Sequence, residues 1–140
     1  MIPAAALAAV PGAGAGATAR ISALPGGLVN RSFLVETPQG RFVLRLNAAP
    51  DAAHELGVDR DAEHAAQRLA AMAGLAPRLL AVAGDRGWQV SEFVAGEVAD
   101  AALLATPRVL ARFGATLARL RAVDLGAAPE PHLQPPVRIR

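Results

Sequence analysis

Gly26, Gly27, Asn30, Ser32 and Arg45 fall within twenty consecutive residues, and their types and order suit the binding of an anion. Paired glycines let the main chain take positive φ and approach a ligand with no Cβ in the way, so backbone N–H groups can cradle phosphate oxygens. Asn30 can hold such a turn through its own backbone or donate its amide to a phosphate oxygen, and Ser32 adds a hydroxyl. Arg45 supplies the countercharge if a strand carries it back to the turn. The outline is that of a nucleotide phosphate clamp. Pro25-Gly26-Gly27 alone is also a common tight turn, and a strand-end arginine is often a snorkelling surface residue; the pairing of the two carries the reading.

Positioning these residues needs a sheet. Arg20 to Leu24 alternates Ile21 and Ala23 against Arg20 and Ser22, a short strand ended by the glycine turn. Phe33-Leu34-Val35 and Phe42-Val43-Leu44 flank a Thr37-Pro38-Gln39-Gly40 turn, which reads as a hairpin that returns the chain to one sheet edge. Strand alternation puts Arg31, Phe33 and Val35 on one face and Ser32, Leu34 and Glu36 on the other. In the next strand Phe42, Leu44 and Leu46 oppose Arg41, Val43 and Arg45. A small apolar residue two places before a cation suits a nucleotide site, with Val43 lining the base pocket and Arg45 reaching the phosphates.

Residues 47–58 read as a polar connection containing His54. Asp59-Arg60-Asp61-Ala62-Glu63 then opens a helix that runs to Ala73 and stops at Gly74, with acids in the first turn where the helix dipole favours them. Ala62, Ala66, Leu69 and Ala73 form its apolar stripe. Glu63 lies in line with Ala66, Ala70 and Ala73, alanines that let the helix approach a sheet, so Glu63 can meet Arg45. The competing reading is an ordinary first-turn acid.

Leu79 to Ala83 is an apolar strand, Gly84 to Gly87 a hairpin turn and Trp88 to Val94 the returning strand. Ala95-Gly96-Glu97 looks like a hinge. Thr106-Pro107 then starts a helix with Leu110, Phe113, Leu117 and Leu120 on one face. The expected architecture is α+β: a five-stranded antiparallel sheet with one inserted helix, a hinge and a carboxy-terminal helix. Residues 1–19 form an Ala/Gly-rich leader, either weakly ordered or packed. Four prolines after residue 128 read as an extended tail, as expected of a chain cut short or the stub of something larger.

Composition narrows the alternatives. At 140 residues the chain suits one lobe, and 53% apolar content rich in alanine with only 4% aromatics predicts a thin core anchored by Phe33, Phe42, Trp88, Phe93 and Phe113. All fourteen basic residues are arginine, and with no tyrosine or lysine the pI of 10.9 overstates a net charge of +2. These arginines are dispersed, which argues against nucleic acid as a partner. Zero cysteines exclude disulfides and fit a reducing compartment. The apolar leader lacks a basic n-region and is broken by Pro3, Pro11 and glycines, so neither a signal peptide nor a membrane span is expected, and the cytoplasm is the default.

Leu24-Pro-Gly-Gly-Leu-Val-Asn-Arg-Ser-Phe-Leu-Val-Glu36, Gly40-Arg-Phe-Val-Leu-Arg-Leu46, Asp59-Arg-Asp-Ala-Glu63, Gly74-Leu-Ala-Pro77 and Val90-Ser-Glu-Phe-Val-Ala-Gly96 resemble, in order and spacing, the amino-terminal lobe of the choline/ethanolamine kinase group. That group belongs to the wider superfamily of thiamine kinases and aminoglycoside phosphotransferases. The resemblance covers about residues 20–125. It implies that Gly26, Gly27, Asn30 and Ser32 form the loop over the ATP phosphates, that Arg45 is the strand cation, and that Glu63 is the helix carboxylate fixing it. It further implies that Glu92, Phe93 and Val94 are the hinge whose backbone meets the adenine.

The departures shape the functional expectation. Phosphoryl transfer needs a base and carboxylates that hold Mg²⁺, which in this superfamily lie on a second lobe. Here His132-Leu133-Gln134 has glutamine where a catalytic His-x-Asp would carry aspartate. The resemblance therefore implies ATP and a small-molecule acceptor alcohol as partners, with Mg²⁺ expected only alongside that second lobe. No turnover is expected of these residues alone. The alternatives are a thiamine or aminoglycoside kinase-like lobe, a non-catalytic nucleotide- or partner-binding domain, or an α+β domain whose glycine turn and arginine are structural.

Overall fold

The computed structural model describes residues 1–14, 16–27, 29–48, 57–97 and 99–124. In chain order the elements are α1 (Ala4–Ala8), β1 (Arg20–Leu24), β2 (Arg31–Thr37), β3 (Gly40–Leu46), α2 (Arg60–Met72), β4 (Leu79–Val82), β5 (Trp88–Glu92), α3 (Ala101–Leu104) and α4 (Pro107–Arg121). The five strands form one antiparallel sheet in the order β1-β2-β3-β5-β4. The polar connection expected over 47–58 and the Pro-rich tail fall largely or wholly outside the described residues.

Register divides the sheet into two faces. Phe33 pairs with Leu44, Val35 with Phe42 and Leu44 with Val90, so these five apolar side chains share one side. Val35, Phe42, Leu44 and Val90 cluster with Ala6, Val10 and Ala13 from the leader, and Phe33 is buried as well. The leader therefore packs, and Thr37 fastens it by donating its hydroxyl to the Pro11 carbonyl at 2.9 Å. Val35, Leu44 and Val90 are completely buried, each contributing about 1.5–3 kcal/mol by removal from water. Phe33 and Phe42 are core residues as expected, but Phe113 is half exposed on α4 and anchors nothing in the core.

The opposite face is polar where α2 lies against it. Asp59 caps this helix by accepting from the N–H groups of Asp61 and Ala62 at 2.9 and 3.0 Å, and Gly74 at φ 68° ends it. Its inward face differs from the expected alanine stripe. Ala66 is exposed, whereas His64 is buried and Arg60, Glu63 and Gln67 bond across to other elements. Alanine offers little area to bury, so the bonded polar residues set the rotation of the helix instead.

Smaller differences have local causes. The strand expected over Trp88–Val94 ends at Glu92, the one over Leu79–Ala83 ends at Val82, and Thr106 starts α4 without a side-chain cap bond. A short helix, α3, capped by Asp100, precedes α4.

Candidate functional site

Arg45 sits on β3 with its side chain on the α2 face, opposite Ser32 and Gln89 in the register. Its Nη2 reaches Glu63 Oε1 at 2.7 Å and Gln89 Oε1 at 2.7 Å, and its Nε donates to Asn47 Oδ1 at 2.9 Å. Three of the five guanidinium N–H groups are thereby occupied. Nη1 bonds to no other described residue, so the fork offers one nitrogen to a ligand, much as a lysine would.

Glu63 has both oxygens engaged. While Oε1 faces Arg45, Oε2 accepts from Arg60 Nη1 at 2.7 Å. Burial pulls the Glu63 carboxyl upward, but the hydrogen bond from Arg60 and the charge of Arg45 outweigh that, leaving it below its ordinary value. Two guanidinium groups share this one carboxylate, so Arg45 is not fully neutralised by Glu63, although Asp59 and the Arg86-paired Asp61 bring negative charge to the same turn of α2.

Arg60 also extends to the glycine turn. Its Nη2 donates to Asn30 Oδ1 at 3.0 Å, and the same oxygen accepts from the Ala48 N–H at 3.1 Å. Asn30 thus holds the turn through its carbonyl oxygen, and its amide NH₂ bonds to no other described residue. Gly26 and Gly27 have φ of 92° and 94°. A Cβ on Gly27 would lie 2.8 Å from the Asn30 carbonyl, so this position requires glycine on two counts. The ion pair and the foot of the glycine turn are accordingly joined through one side chain.

Behind Arg45 lies a buried amide relay. Gln89 Oε1 accepts a hydrogen bond from Arg45 Nη2 and faces His64 Nε2 at 2.9 Å, so the imidazole carries its proton on Nε2. Gln89 donates to Gln67 Oε1 at 3.1 Å, and Gln67 donates to the Pro77 carbonyl at 3.3 Å. Burial pushes the His64 imidazole below its ordinary value, only partly offset by Gln89. Asn47 donates in turn to the carbonyl of Arg86, whose Nε pairs with Asp61 at 2.6 Å.

On the same face of the sheet a cleft of about 580 Å³ is lined by Leu24, Val43, Ser91, the Gly74–Pro77 turn and Glu92, Phe93 and Val94. Val43 and Leu24 are on the Arg45 face of the sheet, and Val43 lies two positions from Arg45 along β3. The Glu92 side chain points away to Arg78, whose Nε donates to it at 2.7 Å and holds its carboxyl below the ordinary value. Phe93 uses its N–H on the Arg41 carbonyl and its ring under the Arg41 guanidinium, 4.7 Å from the centroid. The Val94 N–H bonds to no other described residue.

The structure thus brings Asn30, Arg45 and Glu63 into one bonded network, sets Ser32 across from Arg45, and gathers the 92–94 segment at the cleft. Arg60, Asn47, Gln89 and His64 complete the network without having been singled out from sequence. Strand alternation from Arg45 points to Asn47 and helical spacing from Glu63 points to Arg60, whereas neither signal reaches His64 or Gln89.

The family model described as "Phosphotransferase enzyme family" matches residues 20–138. A solved choline/ethanolamine kinase family protein from Mesorhizobium loti is 30% identical, with a TM-score of 0.66 over 90% of this chain and 39% of that one. The chain therefore spans about two fifths of that neighbour's length. No curated relative matches. With a matched family model across most of its length and a kinase-fold neighbour over the sheet and helices, the chain belongs to the phosphotransferase enzyme family.

Proposed function

We propose that this chain is the ATP-binding lobe of a small-molecule phosphotransferase of the choline/ethanolamine kinase type, acting in the cytoplasm on a small amino alcohol. The observation that carries the reading is the guanidinium of Arg45, fixed by Glu63, Gln89 and Asn47, with Nη1 bonded to no other described residue and Val43, two positions along the strand, lining the cleft. In this reading Nη1 contacts a phosphate oxygen, and the main-chain N–H groups of the Gly26-Gly27 turn cover the phosphates. Ser32 and the free amide of Asn30 add donors. The adenine amine donates to the Glu92 carbonyl, and the ring accepts from the Val94 N–H. The ligand meets donors already held in place, which lowers the ordering cost of binding.

Mg²⁺ does not fit the residues present. No group of three or more His, Asp or Glu that could hold a metal occurs among the described residues, and both oxygens of Glu63 are taken by arginines. Metal and base would come from a second lobe. Among the described residues no helix is long and apolar enough to cross a membrane.

Isothermal titration of the 140-residue chain tests this. ATP is expected to bind, and Arg45→Ala to weaken it by roughly tenfold or more through loss of a charge-assisted contact. With Mg²⁺-ATP and choline, ethanolamine or thiamine, no phosphorylated product is expected. Absence of ATP binding at millimolar concentration would sink the proposal.

A further inference from the structure

Ser91 is 6% exposed, its side chain lies across from Val43 on the Arg45 face, and both residues line the cleft. Its hydroxyl nevertheless bonds to no other described residue, and it is not among the side-chain atoms sealed from solvent without a partner. The hydroxyl therefore opens into the cleft. Its neighbours there are Leu24, Val43, Leu75 and Ala76, all apolar, and the Glu92 carboxylate is turned out to Arg78. A polar group at an apolar inner wall has to be matched by whatever displaces water from that wall, or its lost hydration counts against binding.

We propose that Ser91 is a specificity-determining residue of this cleft, its hydroxyl oxygen accepting a hydrogen bond from the exocyclic amine of an aminopurine nucleotide. The proposal rests on the nucleotide reading above. In that reading the Glu92 carbonyl takes one proton of the amine, and the second proton needs an acceptor. Ser91 immediately precedes Glu92 on β5, and its oxygen has lone pairs to offer. A purine without the amine leaves both the carbonyl and the hydroxyl unmatched, so a site built this way rejects it more strongly than its shape alone would.

A cycle between protein and ligand isolates the contact. The full 140-residue chain is titrated with ATP and with purine riboside triphosphate, which lacks the amine, in the wild type, Ser91→Ala and Ser91→Thr. The expected wild-type preference for ATP is roughly tenfold or more. Ser91→Ala should narrow it by about threefold or more, chiefly by weakening ATP, whereas Ser91→Thr, which keeps a hydroxyl, should hold it. A preference that narrows by less in Ser91→Ala, or collapses equally in Ser91→Thr, overturns the assignment while leaving ATP binding intact. If neither triphosphate binds the wild type, the nucleotide reading itself fails and the role of Ser91 goes with it.

Discussion

Asn30, at the foot of the glycine turn, and Arg60, in the first turn of α2, are joined by a 3.0 Å hydrogen bond between residues thirty positions apart in the chain. The same guanidinium grips Glu63, so the turn, the helix and the strand bearing Arg45 share one brace. A loop that has to sit over an anion gains from being tied to the group that fixes the cation, because both are then held in one geometry before the ligand arrives.

Removing the brace should cost stability and loosen the site together. Arg60 is mostly buried, and its Nε is already a sealed donor without a partner. In Arg60→Ala, Glu63 loses one of its two cations and Asn30 keeps only the Ala48 N–H. The expected loss is roughly 1.5–3 kcal/mol in urea unfolding, the range for hydrogen bonds to charged groups. ATP affinity should fall as well. An Arg60→Ala chain as stable as wild type would show the brace to be incidental.

The two glycines should respond unequally. Both have φ near +90°, so alanine at either position is strained, at a cost of about 1–2 kcal/mol. At Gly26 the added Cβ meets open space, but at Gly27 it lies 2.8 Å from the Asn30 carbonyl, a main-chain atom that cannot swing aside. Gly27→Ala is therefore expected to lower the urea midpoint and the ATP affinity more than Gly26→Ala does. Equal effects would mean that φ alone governs the turn.

Much of this arrangement was legible in the sequence, and the part that was not has a physical reason. Alternation fixed which face of β3 carries Arg45, because strand period two leaves no choice once Phe42 and Leu44 are inward. Glu63 is reached in the sequence from its helical line with Ala66, Ala70 and Ala73; that line is not the buried one, since Ala66 is exposed, yet Glu63 does meet Arg45. The rotation of α2 departs from its hydrophobic stripe because the helix turns Arg60, Glu63, His64 and Gln67 toward polar partners on and beside the sheet. Buried polar residues reveal themselves only with their partners, and those partners, Asn30 and Gln89, are 30 and 25 residues away from the groups they bond. Phe113 and the rest of the α4 stripe show the converse: the amphipathic pattern is plain, yet nothing among the described residues covers it.

That stripe should make the isolated chain adhesive. Leu110, Phe113, Leu117 and Leu120 are all about half exposed on one face of α4. Contiguous apolar surface of this kind promotes self-association and binds environment-sensitive dyes. The 140-residue chain is expected to enhance anilinonaphthalene sulfonate fluorescence, and a Phe113→Glu, Leu117→Glu double variant to abolish most of it. A soluble monomer with no dye response would contradict the exposure of this face.

Acid should destabilise the fold in two separable steps. The folded pKa of His64 lies below the 6.5 of a free imidazole, chiefly because burial disfavours the cation, so the unfolded chain binds the proton first as pH falls. Its contribution is complete above about pH 6.5, declines as pH drops through the folded value, and is lost below it. Glu63 is also shifted down, from 4.5, so its contribution is present above that value and disappears only at lower pH, as the folded carboxyl finally protonates. Both slopes have the same sign and occupy different windows. His64→Gln keeps a donor for Gln89 Oε1 but has no proton to gain, so urea midpoints measured from pH 7.5 to 3.5 should lose the upper step and retain the lower one. An upper step that survives the substitution would assign it to another group and remove His64 from the account of the buried relay.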